Sequence, residues 1–209
     1  MNTNTTTKTT TATTTTTPAE SMDLATIERK ALDSLNRSMA KSDLDDLLVG
    51  ARRSLLLVDC SSSMHARTMG GKRRIDALRT IVTDLRATHP VPLAAFGGND
   101  QVEIVEAPVE PTGGTPLDIA IDFGKEQGAN HLVVVTDGEP NSELTAFAAA
   151  KRFGGPIDVF FVGDAFTRGA QFAKELAEMT GGTSGVSSLD APKELTSKIA
   201  GLLGDGGAL

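Results

Sequence analysis

The sequence predicts an α/β fold: a doubly wound, mostly parallel sheet with one antiparallel edge strand and helices on both faces. Three observations carry that expectation. Short apolar runs such as Leu55-Leu56-Leu57-Val58 and Leu132-Val133-Val134-Val135 have the signature of strands buried on both faces. Segments with apolar residues at helical spacing alternate with these runs from Arg74 onward. Both of the clearest strands run directly into an aspartate, Asp59 and Asp137. In open α/β sheets the crevice beyond the carboxyl ends of the strands is where ligands bind, so both carboxylates fall where a site belongs.

Taken in order, residues 1–17 carry 12 threonines and almost no apolar surface to offset their conformational entropy, so they read as a disordered tail. Residues 18–52 read as a helical extension. Met22, Leu24, Ile27, Ala31, Leu35 and Met39 recur at helical spacing, and a second short helix at 42–48 stops before Gly50. The main domain spans 53–204, and 205–209 read as a flexible end. Within that domain the first strand covers 54–58 and ends in Asp59. A helix at 74–89 buries Ile75, Leu78, Ile81, Val82 and Leu85, with Pro90 just past its end. Strands at 92–96 and 101–106 flank Gly97-Gly98-Asn99-Asp100, a turn composition that predicts an antiparallel hairpin. The alternation continues with helices at 116–127, 142–152, 168–179 and 192–203, and strands at 131–136, 157–162 and 183–187.

Composition narrows the function. Hydrophobic residues at 39% and charged residues at 22% fit a chain that buries a real core. All eight phenylalanines lie between Phe96 and Phe172 and read as core. A net charge of −7, with neither Trp nor Tyr, argues against nucleic-acid binding, which needs a basic face and stacking platforms. No apolar stretch reaches the length of a membrane span, and the amino terminus has no apolar signal region, so a cytoplasmic protein is expected. The lone cysteine, Cys60, fits a reducing compartment and is expected to point into the core. His65, His89 and His131 lack metal-ligand spacing and read as loop or element-end residues.

Three segments meet the strand-end rule: Asp59-Cys60-Ser61-Ser62-Ser63, Thr112-Gly113-Gly114-Thr115-Pro116, and Asp137-Gly138-Glu139. They offer carboxylates and hydroxyls only. An all-oxygen set suits a hard cation such as Mg²⁺ or Mn²⁺ and is poor for zinc or iron. In an extended loop alternate residues project the same way, which would aim Asp59, Ser61 and Ser63 at one point.

These residues resemble the von Willebrand factor A family, whose metal-ion-dependent adhesion site is written D-x-S-x-S, then a threonine in a G-x-T context, then an aspartate after a buried strand. The matching positions are Asp59, Ser61, Ser63, Thr115 and Asp137, and the resemblance covers about residues 53–203. It implies that the serine and threonine hydroxyls touch the metal directly, that the aspartates act directly or through water, and that an open coordination position takes a carboxylate from a protein partner. Within the family, the stand-alone intracellular prokaryotic or viral type is the better match. That type implies an adaptor, with an ATPase or a stress-response complex as the partner.

Plainer readings stand beside each segment. Thr115-Pro116 is also a common helix start, with Thr115 as the cap. The serines also suit a loop that satisfies its own backbone, and Asp137-Gly138-Glu139 also suits a turn. Glu139, next to Asp137, would either reach the metal through water or repel an acidic partner. Two other functions compete. A magnesium-dependent phosphohydrolase also begins with a strand ending in aspartate, but it needs a second acid two residues on, where this chain has Ser61. A structural subunit would dock through the amino-terminal helix, with the metal only stabilising the fold. No catalytic motif is present, so the chain is not expected to be an enzyme.

Overall fold

The computed structural model describes residues 52–204; the expectations for 1–17, for the helices at 19–39 and 42–48, and for 205–209 lie outside them. Six strands form one sheet: β1 (Ser54–Asp59), β2 (Leu93–Gly97), β3 (Gln101–Ile104), β4 (His131–Thr136), β5 (Ile157–Val162) and β6 (Ser184–Ser187). Five helices alternate with them: α1 (Arg74–Thr88), α2 (Leu117–Glu126), α3 (Glu143–Phe153), α4 (Arg168–Thr180) and α5 (Pro192–Gly204). A single 3-10 turn, Ser62–His65, follows β1. The sheet order is β3-β2-β1-β4-β5-β6, and every pairing is parallel except β2 with β3. The expected α/β class and antiparallel edge strand are both present.

Strand chemistry explains the two layers. Leu55 and Leu57 of β1 face one core, with Leu132 and Val134 of β4 and residues of α2, α3 and α4. Leu56 and Val58 face the opposite core, with Val133 and Val135 and residues of α1 and α5. Side chains alternate across a strand, so a run apolar at every position fills both layers at once. Cys60 sits 2% exposed in the second core, where it behaves as a small hydrophobe.

This order makes the gap between β1 and β4 a switch point. From β1 the chain runs outward through β2 to β3, and from β4 it runs the other way through β5 to β6. The loops leaving β1 and β4 therefore diverge, and a crevice opens between them.

One expectation about the core needs correction. Phe166 is not core: it is 97% exposed, on the loop between β5 and α4, while Phe123 and Phe147 only flank the core. His131 is an element end, as expected, but a fully buried one. Its Nε2 lies 2.6 Å from Asp158 Oδ2 and its Nδ1 lies 2.7 Å from Ser54 Oγ. This chain of contacts ties β1, β4 and β5 together at their amino ends, across the sheet from the aspartates.

Candidate functional site

Asp59 closes β1 and is completely buried. Its Oδ1 accepts the Ser61 backbone N–H at 2.7 Å, and its Oδ2 accepts the Thr136 hydroxyl at 2.5 Å. Burial pushes this carboxyl up to about 6; the bonds from Ser61 and Thr136 oppose that rise and the charge of Asp137 adds to it. A carboxylate kept this far from water is costly for the fold unless a cation joins it.

The extended alternation expected of the first loop holds for Asp59 and Ser61 and ends there. Ser61 has extended backbone, but at Ser62 the chain turns into the 3-10 segment, closed by Met64 N–H donating to the Ser61 carbonyl at 3.0 Å. Buried Met64 anchors that turn in the core. Ser63 is thus delivered by a turn: its hydroxyl lies 2.9 Å from Ser61 Oγ and donates to Asp137 Oδ1 at 2.5 Å. Asp137 follows β4 directly, and its second oxygen accepts Arg74 Nη1 at 2.6 Å.

The threonine segment is fastened to the first loop by backbone. Thr112 N–H donates to the Cys60 carbonyl at 2.9 Å, and Ser62 N–H donates to the Gly113 carbonyl at 3.0 Å. Gly113 has a φ of +62°, and a Cβ there would lie 2.4 Å from the Gly98 carbonyl oxygen, so only glycine allows this approach. Asn141 then holds Thr115 from both sides: its Oδ1 accepts the Thr115 N–H at 2.8 Å and its own N–H donates to the Thr115 carbonyl at 2.9 Å. Thr115 is not a helix cap. The cap position of α2 is Pro116, with no side-chain cap bond, and the Thr115 hydroxyl makes no hydrogen bond to a described residue.

The three segments converge above Gly138. The point that a Cβ on Gly138 would occupy lies 3.4 Å from Thr115 Oγ1 and 3.5 Å from Ser63 Oγ. Asp59, Ser61, Ser63, Thr115 and Asp137 are thus gathered at the carboxyl edge of β1 and β4, two carboxylates with three hydroxyls. That set fits a hard divalent cation by its chemistry and by the open cradle that glycine leaves. Among the described residues no group of three or more His, Cys, Asp or Glu could hold a metal, and the set gathered here has only two carboxylates. Glu139 is exposed, and its charge acts on Arg168.

Three residues of this site were not singled out from sequence: Thr136, Arg74 and Asn141. Each acts through a partner distant in sequence, so no local motif marks it. The one available signal was the threonine directly before Asp137, at the end of a strand parallel to β1.

The six-stranded, mostly parallel sheet with its antiparallel edge strand and flanking helices is an α/β fold of the kind seen in von Willebrand factor A-type structures. No family model matches the chain, and no curated protein matches it. Among solved structures it is similar to a von Willebrand factor type A protein from Catenulispora acidiphila, with a TM-score of 0.54 and 17% identity over 72% of this chain and 42% of that one. It is also similar to a mutant of the PilB minor pilin from Streptococcus sanguinis, with a TM-score of 0.52 and 15% identity over 73% of this chain and 61% of that one. The chain therefore spans less than two thirds of either protein. At these identities the likeness shows the fold: von Willebrand factor A-like, mostly parallel and helix-covered. No helix among the described residues is long and apolar enough to cross a membrane.

Proposed function

We propose that the chain is a metal-dependent protein-binding module, in which Asp59, Ser61, Ser63, Thr115 and Asp137 hold Mg²⁺ or Mn²⁺ and the ion captures a carboxylate of a protein partner. The observation that carries this reading is the convergence of five oxygen-bearing side chains from three separate segments at the β1–β4 switch point. When bound, the ion supplies a Lewis-acidic position. Two carboxylates and three neutral hydroxyls only just balance a divalent charge, so the ion retains attraction for another acid.

The chain's own residues do the positioning. Thr136 and the Ser61 N–H orient Asp59, Asn141 fixes the Thr115 backbone, and the 3-10 turn brings Ser63 to Asp137. Binding is favoured over hydrolysis because the position where a phosphohydrolase keeps its general acid is Ser61, a residue 2% exposed and bonded to Ser63. An adaptor role in the cytoplasm, with an ATPase or stress-response complex as partner, belongs to the same proposal.

The test is capture of partners on the immobilised full chain in Mg²⁺ and in chelator. A partner retained in Mg²⁺, released by chelator and absent with Asp137→Ala supports the reading. Equal capture in all three conditions overturns it.

A further inference from the structure

Arg74 sits where helix electrostatics disfavours a cation. It is the first residue of α1, Arg73 before it makes no side-chain cap bond, and Asp76 is the acid of the first turn. The amino end of a helix carries partial positive charge, so two arginines there need acids to offset them. Arg73 pairs with Asp76 and Glu110, whereas Arg74 pairs with Asp137 alone among the described residues. The Arg74 backbone is fixed: its N–H donates to the Ala66 carbonyl at 2.8 Å, and Arg67 and Arg73 form an antiparallel bridge beside it. Any rearrangement here therefore falls to the side chain, which changes rotamer about several bonds.

The same residue lines a cavity of about 300 Å³ that it shares with Arg67, Asp164, Ser187 and Asp190. Asp190 is fully engaged: its oxygens accept the Met69 N–H at 3.0 Å and the Gly70 N–H at 2.8 Å. Asp164 is half engaged. Its Oδ1 accepts the Phe166 N–H at 2.9 Å, while its Oδ2 has no hydrogen bond among the described residues. Arg67, the other cation of the cavity, donates to the Gly71 carbonyl at 2.6 Å and forms no ion pair among the described residues. Ser187 Oγ is buried and has no hydrogen-bond partner among the described residues. A guanidinium entering this cavity would thus find an unpaired carboxylate oxygen and an unpartnered hydroxyl, both acceptors for its fork of N–H donors.

We infer that Arg74 is a built-in counter-ion with two positions: it pairs with Asp137 as seen here, and it swings into this cavity to pair with Asp164 when a divalent ion takes Asp137. The ion and the guanidinium compete for one carboxylate and repel each other. An ion shifts such an equilibrium only by the difference in free energy between the two positions, so whatever receives Arg74 helps to set metal affinity. Asp164 does this from outside the five ligands. The inference deepens the reading of the metal site and rests on it for one point only: that the displacing cation is the ion those ligands hold.

Two double-mutant cycles on the full chain test it. The first reads Mn²⁺ affinity by titration calorimetry. Asp164→Asn, which keeps an acceptor for the Phe166 N–H, should weaken Mn²⁺ binding about fivefold in the wild-type background and leave it unchanged in Arg74→Met. An equal loss in both backgrounds is only the long-range effect of a removed charge, and it overturns the inference; so does no loss in the wild-type background. The second cycle reads melting in chelator. Asp164→Asn should leave the wild-type melt unchanged, because Arg74 is then paired with Asp137. In Asp137→Ala the guanidinium has lost that partner, and adding Asp164→Asn should lower the melting temperature by about a further 2 °C, an effect that Arg74→Met abolishes. A melt indifferent to Asp164→Asn in the Asp137→Ala background overturns the inference. The two readings fail separately. No Mn²⁺ binding by wild type contradicts the metal-site reading while the melts still decide whether Arg74 has its second position, and Mn²⁺ binding without coupling between Arg74 and Asp164 contradicts the inference alone.

Discussion

Arg74 Nη1 lies 2.6 Å from Asp137 Oδ2, so the carboxylate at the end of β4 is held between a guanidinium and the Ser63 hydroxyl. Arg74 thereby places a positive charge at the edge of the position proposed for a divalent ion. Replacing it with Met should have two opposite effects. Without metal the melting temperature should fall, because Asp137 loses its ion partner; with Arg74 28% exposed, the loss is about 1–3 kcal/mol. Metal affinity should rise by roughly tenfold, because a like charge leaves the site. Isothermal titration of Mg²⁺ against both proteins checks the second effect, and weaker binding by the variant would make Arg74 an orienting residue, not a competitor.

Asp59 sets the pH behaviour of the metal-free protein. Its folded value, about 6, lies above its ordinary value of 3.8, so the folded chain holds the proton more tightly than the unfolded one. The resulting stability is complete below 3.8 and is lost as pH rises through about 6, a cost of about 3 kcal/mol at neutral pH. In chelator at pH 7, Asp59→Asn should therefore melt higher than wild type, and the gap should close toward pH 4. The same variant should gain nothing from Mg²⁺. Melting curves across pH with and without the ion check both statements.

Thr115 and Asn141 separate ligation from positioning. Because the Thr115 hydroxyl makes no hydrogen bond to a described residue, Thr115→Val should change stability by less than about 1 kcal/mol, whereas metal affinity should fall by at least about tenfold. Asn141→Ala leaves all five proposed ligands in place but frees the Thr115 backbone. Its loss of affinity is expected between about 10- and 100-fold, the range for partners that orient metal ligands. Titration calorimetry paired with melting curves distinguishes the two.

At the opposite end of the sheet, burial raises Asp158, but the bonds from His131 Nε2 and from the Thr183 N–H and hydroxyl outweigh it and hold the carboxyl below its usual range. Here the sign is reversed: the stability is present above the ordinary carboxyl value and is lost as pH falls through the folded one. Asp158→Asn should lower stability at pH 7 by about 1–3 kcal/mol and flatten the acid limb of the stability curve. Acid titration of unfolding measures it.

The fold was legible because the apolar runs of β1 and β4 are buried on both faces, and because Pro90 and the Gly97-Gly98 turn punctuate the elements. The candidate residues were legible for a related reason, since Asp59 and Asp137 terminate adjacent parallel strands. What sequence did not show was pairing across long separations. Arg74 with Asp137, Asn141 with Thr115, and His131 with Asp158 join residues 26 to 63 positions apart, and only the closed sheet brings them together. Phe166 was misplaced for a different reason: composition records an apolar side chain, not which side of a loop it occupies.

Titration of Mn²⁺ into the full chain, with heat as the readout, tests the proposed site most directly when wild type is compared with Asp59→Asn and Thr115→Val. One saturable site in wild type, absent in Asp59→Asn and weakened in Thr115→Val, is the expected result. Equal binding by all three proteins, or no binding by wild type, would contradict the assignment of a divalent cation to these five residues.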